Sequence, residues 1–408
     1  MQQNSRTRQM KAPAGRLRPR QGRKPIKQQG NVTPIFIIGG RFDMPFLILV
    51  LSLLGIGLIV LFSASHASAY YYEGNSYYYI WRQLAFAIAG VVFMLAASFV
   101  NYHFIRHFAR FLYLLSLVLM AACYLFDPYQ GARRWIYLGF TNFQPSEIAK
   151  FALILLYAHL IDKYKDKMGD FKIGTMWFIC LYLGIAAILL PQPHLSATIL
   201  IGIIAVTMML VGGSRFRYLF FLGMGAFVFG LIVLVVFQDF LAEYFSHVVV
   251  RLTYWLDPFS TNDPGSYQTR QSLLAIGSGG LWGVGLGDSR QKHMYLPEVR
   301  NDFVFAIACE ELGFIGATAI IVLFAMMVWR GYTIAMRARD RFGTMLVVGI
   351  ITQVGVQAFL NIAVVTNLVP NTGISLPFFS YGGTALLIMM AEIGVVLGVS
   401  RQSRYEKE

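Results

Sequence analysis

Apolar residues along this chain run in long unbroken stretches instead of alternating with polar ones. Ten such stretches are predicted as helices, at 43–64, 80–98, 105–126, 144–160, 173–190, 195–212, 218–237, 303–329, 344–366 and 379–400. Their lengths suit a hydrocarbon layer, which a helix crosses with roughly 20 apolar residues. The first could be mistaken for a cleaved leader, because Ala67-Ser68-Ala69 follows a basic segment and an apolar core. That core runs from Met44 to Phe62 and exceeds the roughly 7 to 15 residues of a leader. The expected fold is all-α: a polytopic membrane domain over 42–400, with a long structured extracytoplasmic loop, about 238–302, between spans seven and eight. Residues 1–41 are expected to be a disordered basic tail and 401–408 a short C-terminal tail.

Composition agrees with the pattern. Of 408 residues, 57% are hydrophobic and 13% charged, and mean hydropathy is +0.58, whereas a soluble domain carries about 25% charged residues. Cys123, Cys180 and Cys309 all fall in apolar segments and form neither a disulfide framework nor a zinc spacing. A net charge of +14 would suggest a nucleic-acid partner in a soluble protein. Here its location matters more. With ten spans and the N terminus inside, 25 of the 34 Lys and Arg residues fall on the inner side and 8 on the outer, with Lys150 inside a span. The positive-inside rule then puts both termini in the cytoplasm. The ten basic residues of the tail either touch anionic head groups or only enforce this topology.

Seven of the 20 acidic residues cluster in the connection 238–302. So long a connection in a compact membrane domain is usually functional, and its Gly, Trp, Tyr and Pro content predicts short helices and re-entrant turns packed on the outer face. Gly283, Gly285 and Gly287 miss the dinucleotide spacing because Asp288 takes the third position, and no Walker sequence occurs. Tight turns, or close backbone approach to a ligand, account for these glycines.

Three runs could carry chemistry. In the first, Gly131 to Lys150, Pro145 suits a helix start, Ser146 or Thr141 can cap it, and Glu147 favours the positive end of the helix dipole. Glu147 and Lys150 share a face; Lys150 either snorkels to the interface or faces the bundle as a functional residue. In the second, Asp302 stands where the outer loop enters an apolar span, so its proton affinity is expected to rise unless a cation is near. It is a base or simply an N-cap. Glu310 and Glu311, deeper in the same span, need partners. The third run, Asn367 to Leu387, has Pro and Gly at the membrane boundary, where irregular backbone must line a cavity or be buried; a kinked helix start is the plainer alternative. Tyr70–Tyr72, Tyr77–Tyr79 and Trp81 read as an interfacial aromatic belt. His103 and His107 lie beside Arg106 and Arg110, a poor setting for a metal.

QPSEIAK at 144–150, LPEVRNDFVFA at 296–306 and GISLPFFSYGG at 373–383, set in ten spans, closely resemble the SEDS family (shape, elongation, division, sporulation), and its FtsW and sporulation branch more than RodA. The resemblance covers about 42–400. It implies a peptidoglycan glycosyltransferase that polymerises lipid II on the outer face of the bacterial cytoplasmic membrane in cell division, inverting the sugar donor. The missing nucleotide motifs fit a donor already activated as a lipid diphosphate. The implied partners are lipid II, the lipid-linked glycan chain, a class B penicillin-binding protein (the transpeptidase), other divisome proteins and membrane lipids, with no nucleic acid. The resemblance makes no cofactor certain, and a divalent cation is a candidate. Asp302 matches the family's essential aspartate and Lys150 the lysine near it, so both are the catalytic candidates. Glu147, Arg134, Arg251, Gln268, Lys292, Glu298 and Ser380 are candidates for substrate binding, and no residue is assigned to a metal.

The chain departs from the family's pattern in places. Gln192-Pro193-His194 stands where many members carry Gln-Pro-Asp, Asn301 where threonine often precedes the aspartate, and Thr372 where some division members have lysine. Two other classes stay open: a lipid II flippase, with Glu310, Glu311, Glu392 and Lys150 as a polar path, and a non-catalytic scaffold for the transpeptidase.

Overall fold

Helices α1 (Met44–Glu73), α2 (Tyr78–Phe99), α3 (Tyr102–Arg106) and α4 (Ala109–Ala122) come first; a ribbon of β1 (Ile136–Tyr137) and β2 (Asn142–Phe143) follows. Then come α5 (Pro145–Lys163), α6 (Trp177–Leu189), α7 (Leu195–Val211), α8 (Phe216–Val236), α9 (Pro264–Ser278), α10 (Val304–Met336), α11 (Arg341–Val365) and α12 (Gly383–Tyr405). The structure, a computed structural model, describes residues 35–36, 39–126, 133–137, 142–192, 194–236, 255–259 and 264–405. Most of the expected basic tail, Arg251, Thr141 and much of 238–263 lie outside the described residues. Among the described residues each of the ten expected spans has a helix, with α3 and α9 in addition. Six are long and apolar enough to cross a membrane: α1, α2, α6 with the π-helical turn before it, α10, α11 and α12. α4, extended by a 3₁₀ turn, and α7 are shorter apolar helices.

Two helices run well past the predicted apolar stretch. α1 continues past residue 64 to Gly74, whose left-handed conformation ends it. The added turns contain small polar residues that bury cheaply, with the Ser68 hydroxyl donating to the Ser65 carbonyl at 3.0 Å, and Tyr70–Tyr72 lie exposed on them. At the other end Asp43 caps α1 by accepting from the Phe46 N–H at 3.2 Å. Arg330 grips the same carboxylate with two bonds of 2.8 Å. α10 runs to Met336, not 329, and is broken at Gly313, where φ is 67° and ψ −170°.

That break shapes the outer connection. A helix that breaks inside a membrane must have its freed backbone groups satisfied by neighbouring structure. Here the turns after α9 do this: Phe314 N–H donates to Gly280 O at 2.9 Å and Ile315 N–H to Leu281 O at 3.2 Å, while Val284 and Gly285 donate to the carbonyls of Glu310 and Glu311 at 3.0 and 3.1 Å. A Cβ at Gly283 would sit 2.1 Å from the Glu311 carbonyl oxygen. Gly283, like Gly279, therefore admits the backbone of α10, while Gly285 and Gly287 have no α10 backbone where a Cβ would stand and take left-handed turns at φ 110° and 91°. The loop also enters the helix bundle instead of resting wholly on the outer face.

α2 and α12 pack along a seam of small residues; a Cβ on Gly394 would meet Met94 O at 2.3 Å. The described residues nearest the two termini pack on the bundle. Phe36 forms a bridge with Val100, and Asn101 N–H donates to Ile35 O at 2.8 Å. α12 runs on to Tyr405, with Arg401 buried and its guanidinium 4.4 Å from the Phe99 ring centre.

Candidate active site

A cavity of about 700 Å³ opens where α2, α5, α7, α11 and α12 meet the outer loops, a size in the range of ligand pockets. α5 enters it with its first turns. Pro145 occupies the first helical position and Glu147 the first turn, where the dipole favours an anion. The N-cap is Gln144, without a side-chain bond, and the Ser146 hydroxyl has no hydrogen-bond partner among the described residues, so Ser146 does not cap the helix. Lys150, only 3% exposed, faces the bundle and does not snorkel. Its ammonium lies 2.8 Å from Glu147 Oε2 and donates to Gln357 Oε1 at 3.2 Å.

α11 supplies a ladder of amides that the sequence reading passed over. Gln353, Gln357 and Asn361 recur at i, i+4 and i+8 and so share one face. Gln353 donates to Glu392 at 2.7 Å, Gln357 to the Ser375 carbonyl at 3.1 Å, and Asn361 to the carbonyls of both Asp302 and Ile374 at 2.7 Å. Three amides in an otherwise apolar helix at this spacing were a legible signal. They fix the loop 371–382 and the backbone of Asp302 on one rigid element.

Asp302 is not the N-cap of α10, a position taken by Phe303. Its carboxylate lies against Gly373, where a Cβ would come within 3.3 Å of Oδ2. Burial, then the like charge of Glu298, push its carboxyl up to about 6, with Arg134 opposing. Glu298 sits in the left-handed region at φ 54° and accepts from Asn301 Nδ2 at 2.5 Å. Ser380 staples two loops together: its hydroxyl accepts from Leu376 N–H at 2.7 Å and donates to Asn301 O at 2.5 Å.

Asp302, Lys150, Glu147, Arg134, Glu298 and Ser380 thus line one cavity. Arg82, Arg300, Glu73 and His194 line it too, unpredicted because they come from separate segments. His194 bonds Gln144 at 3.2 Å; burial, Arg134 and Lys150 push its imidazole down to about 3, so it is neutral at pH 7. The departure from the Gln-Pro-Asp pattern therefore leaves Arg134 and Lys150 without an acid at that position.

Two expected substrate contacts are elsewhere. Lys292 is fully buried; its ammonium is 3.0 Å from Glu311 Oε1 and 3.3 Å from Ser63 Oγ, and also bonds the Gly287 carbonyl. A buried lysine needs a counter-charge, and here that is an acid of α10 instead of a diphosphate. Gln268 bonds the Pro297 carbonyl at 3.4 Å and Asn371 at 3.0 Å behind the cavity wall. Arg251 lies outside the described residues. Glu310 accepts from Ser289 and from the N–H of Arg290 at 3.0 Å. Glu310 and Glu311 are thus tied to the outer loop and do not join Lys150 in a polar path. The described residues fit a protein-held divalent cation poorly: no three His, Cys, Asp or Glu side chains gather as ligands, and Glu147 and Glu298 are engaged by Lys150 and Asn301.

Known proteins share this architecture. "Stage V sporulation protein E" of Bacillus subtilis (strain 168) is 39% identical over 372 residues, covering 89% of this chain and 98% of that protein. "Probable peptidoglycan glycosyltransferase FtsW" of Geobacter sulfurreducens is 37% identical over 365 residues, covering 88% of this chain and 95% of its own. Among solved structures, a chain of the work described as "Structural coordination of polymerization and crosslinking by a peptidoglycan synthase complex" superposes with a TM-score of 0.73 at 26% identity, covering 90% of this chain and 99% of that one. Thermus thermophilus rod shape determining protein RodA gives 0.62 at 25% identity, covering 89% of this chain and 98% of its own. Residues 44–405 match the profile described as "Cell cycle protein", and the chain belongs to this FtsW/RodA/SpoVE family.

Proposed function

We propose that this protein is an inverting peptidoglycan glycosyltransferase that polymerises lipid II into glycan strands on the outer face of the bacterial cytoplasmic membrane, in cell division. The observation that carries the proposal is the meeting of a desolvated carboxylate, Asp302, with the cations Lys150 and Arg134 in one cavity at the membrane boundary. Asp302 takes the proton of the acceptor sugar hydroxyl. The hydroxyl oxygen bonds to the anomeric carbon of the donor as the bond from that carbon to the diphosphate breaks. The electron pair leaves on the diphosphate, where Lys150 and Arg134 stabilise the charge. Glu147 holds Lys150 in place, and Glu298 tunes Asp302 and is not itself the base.

The basic-residue asymmetry favours cytoplasmic termini and an external cavity. The likeness to a chain of a peptidoglycan synthase complex favours a class B penicillin-binding protein as partner. The test is purified protein with that partner and labelled lipid II, scored for glycan polymer. Asp302→Asn should lower polymer yield by at least about 100-fold. Normal polymer from Asp302→Asn would refute the base assignment, and lipid transfer across vesicles without polymer would favour the flippase instead.

A further inference from the structure

The opposite end of α5 carries a second constellation that the polymerase reading does not use. A pocket of about 320 Å³ is lined by Arg106 and His107 at the end of α3, by Ala109 and Arg110 at the start of α4, and by His159 of α5. His159 lies 12 residues beyond Glu147, about 18 Å along the helix, so the pocket is at the other membrane face from the cavity. On the topology proposed above this is the inner leaflet.

We propose that this pocket binds a phosphate-bearing anion, and that its source is the head group of an anionic phospholipid. Four observations support it. Arg106, Arg110 and Lys163 all act electrostatically on His159, against the single carboxylate of Asp162. That carboxylate is occupied, 2.6 Å from Arg106 Nη1. Arg106 Nε–H donates to His159 Nδ1 at 2.9 Å, so the neutral imidazole carries its proton on Nε2 and keeps a donor for an anion. The start of α4 adds the positive end of a helix dipole at the pocket wall. Beyond the pocket, Phe111, Leu114 and Val118 form an exposed apolar stripe along α4, at 61%, 60% and 65% exposure. A lipid seated by its phosphate can lay its chains along that stripe, which a free phosphate would not need. Basic pockets between helices on the cytoplasmic side are the expected form of such sites.

Arg106 also braces the fold through Asp162 and the Phe342 ring, so the informative variants are Arg110→Gln and His107→Gln, both at exposed positions. The full-length protein is reconstituted in phosphatidylcholine with and without phosphatidylglycerol, and its thermal unfolding is followed. A parallel arm in detergent compares inorganic phosphate with chloride at equal ionic strength. Phosphatidylglycerol should raise the melting temperature of the wild type and of Arg337→Gln, an exposed control. The rise should fall by at least half in Arg110→Gln and His107→Gln. A variant-sensitive rise with inorganic phosphate alone would overturn the lipid source. Equal rises in all four proteins would overturn the site itself.

Discussion

Asn361 Nδ2 donates to the main-chain carbonyl of Asp302 at 2.7 Å, and also to that of Ile374 at 2.7 Å. One amide thus ties the carboxylate-bearing turn to the loop that forms the opposite wall. Asn361→Ala leaves both carbonyls short of a donor and frees the turn. Polymerisation should fall by roughly 10-fold, the order of the 1 to 3 kcal/mol for leaving a buried acceptor unpaired. The fall should appear in kcat more than in KM, because the position of the base changes and not the diphosphate contacts. A fall confined to KM would contradict this.

The pH dependence follows from Asp302. A base must be ionised, and its carboxyl is pushed up to about 6, so polymerisation should rise with pH through about 6. Glu298→Gln removes a like charge and should move this limb to lower pH. The folded-state value lies above the usual carboxylate range, so ionised Asp302 destabilises the fold at high pH and protonated Asp302 does not. Asp302→Asn should therefore melt above the wild type at pH 8 and no higher at pH 4.

Lys150→Ala should abolish most polymerisation, while Lys163→Ala, near the other end of α5, should leave it close to normal. Comparable activity of the two variants at matched protein levels would reduce Lys150 to an anchor for Glu147.

The pair Lys292 and Glu311, 3.0 Å apart and buried, locks the outer loop to α10. Breaking it from one side strands a buried charge at a cost of about 3 to 5 kcal/mol. Lys292→Met and Glu311→Gln should each lower the melting temperature sharply, and the double variant should recover much of the loss. A Lys292→Met protein of unchanged stability with weakened lipid II binding would restore that lysine as a substrate contact.

Topology is tested with single cysteines in a cysteine-free background at Lys165 and Asp288, both exposed. An impermeant thiol reagent added outside should label the second and not the first. Labelling of both from outside would displace the proposed orientation.

Much of this protein was legible in local pattern. Apolar length marked the ten long helices, the three-residue spacing put Glu147 and Lys150 on one face, and the junction of polar loop with apolar helix singled out Asp302. These features depend on nearest neighbours and the period of a helix, which sequence order carries directly. The tertiary structure alone decided partners. A lysine in an apolar environment must find a counter-charge, but nothing local told Lys292, in the same loop as Asp302, to turn to Glu311 and Ser63 while Lys150 faced the cavity. Likewise the break at Gly313 was invisible until the loop 279–285 filled it. Arg82, His194 and Arg300 became one site only by packing. Local sequence requires each buried polar group to be satisfied; which distant group satisfies it depends on how the helices pack, as with Lys150 and Gln357, 207 residues apart.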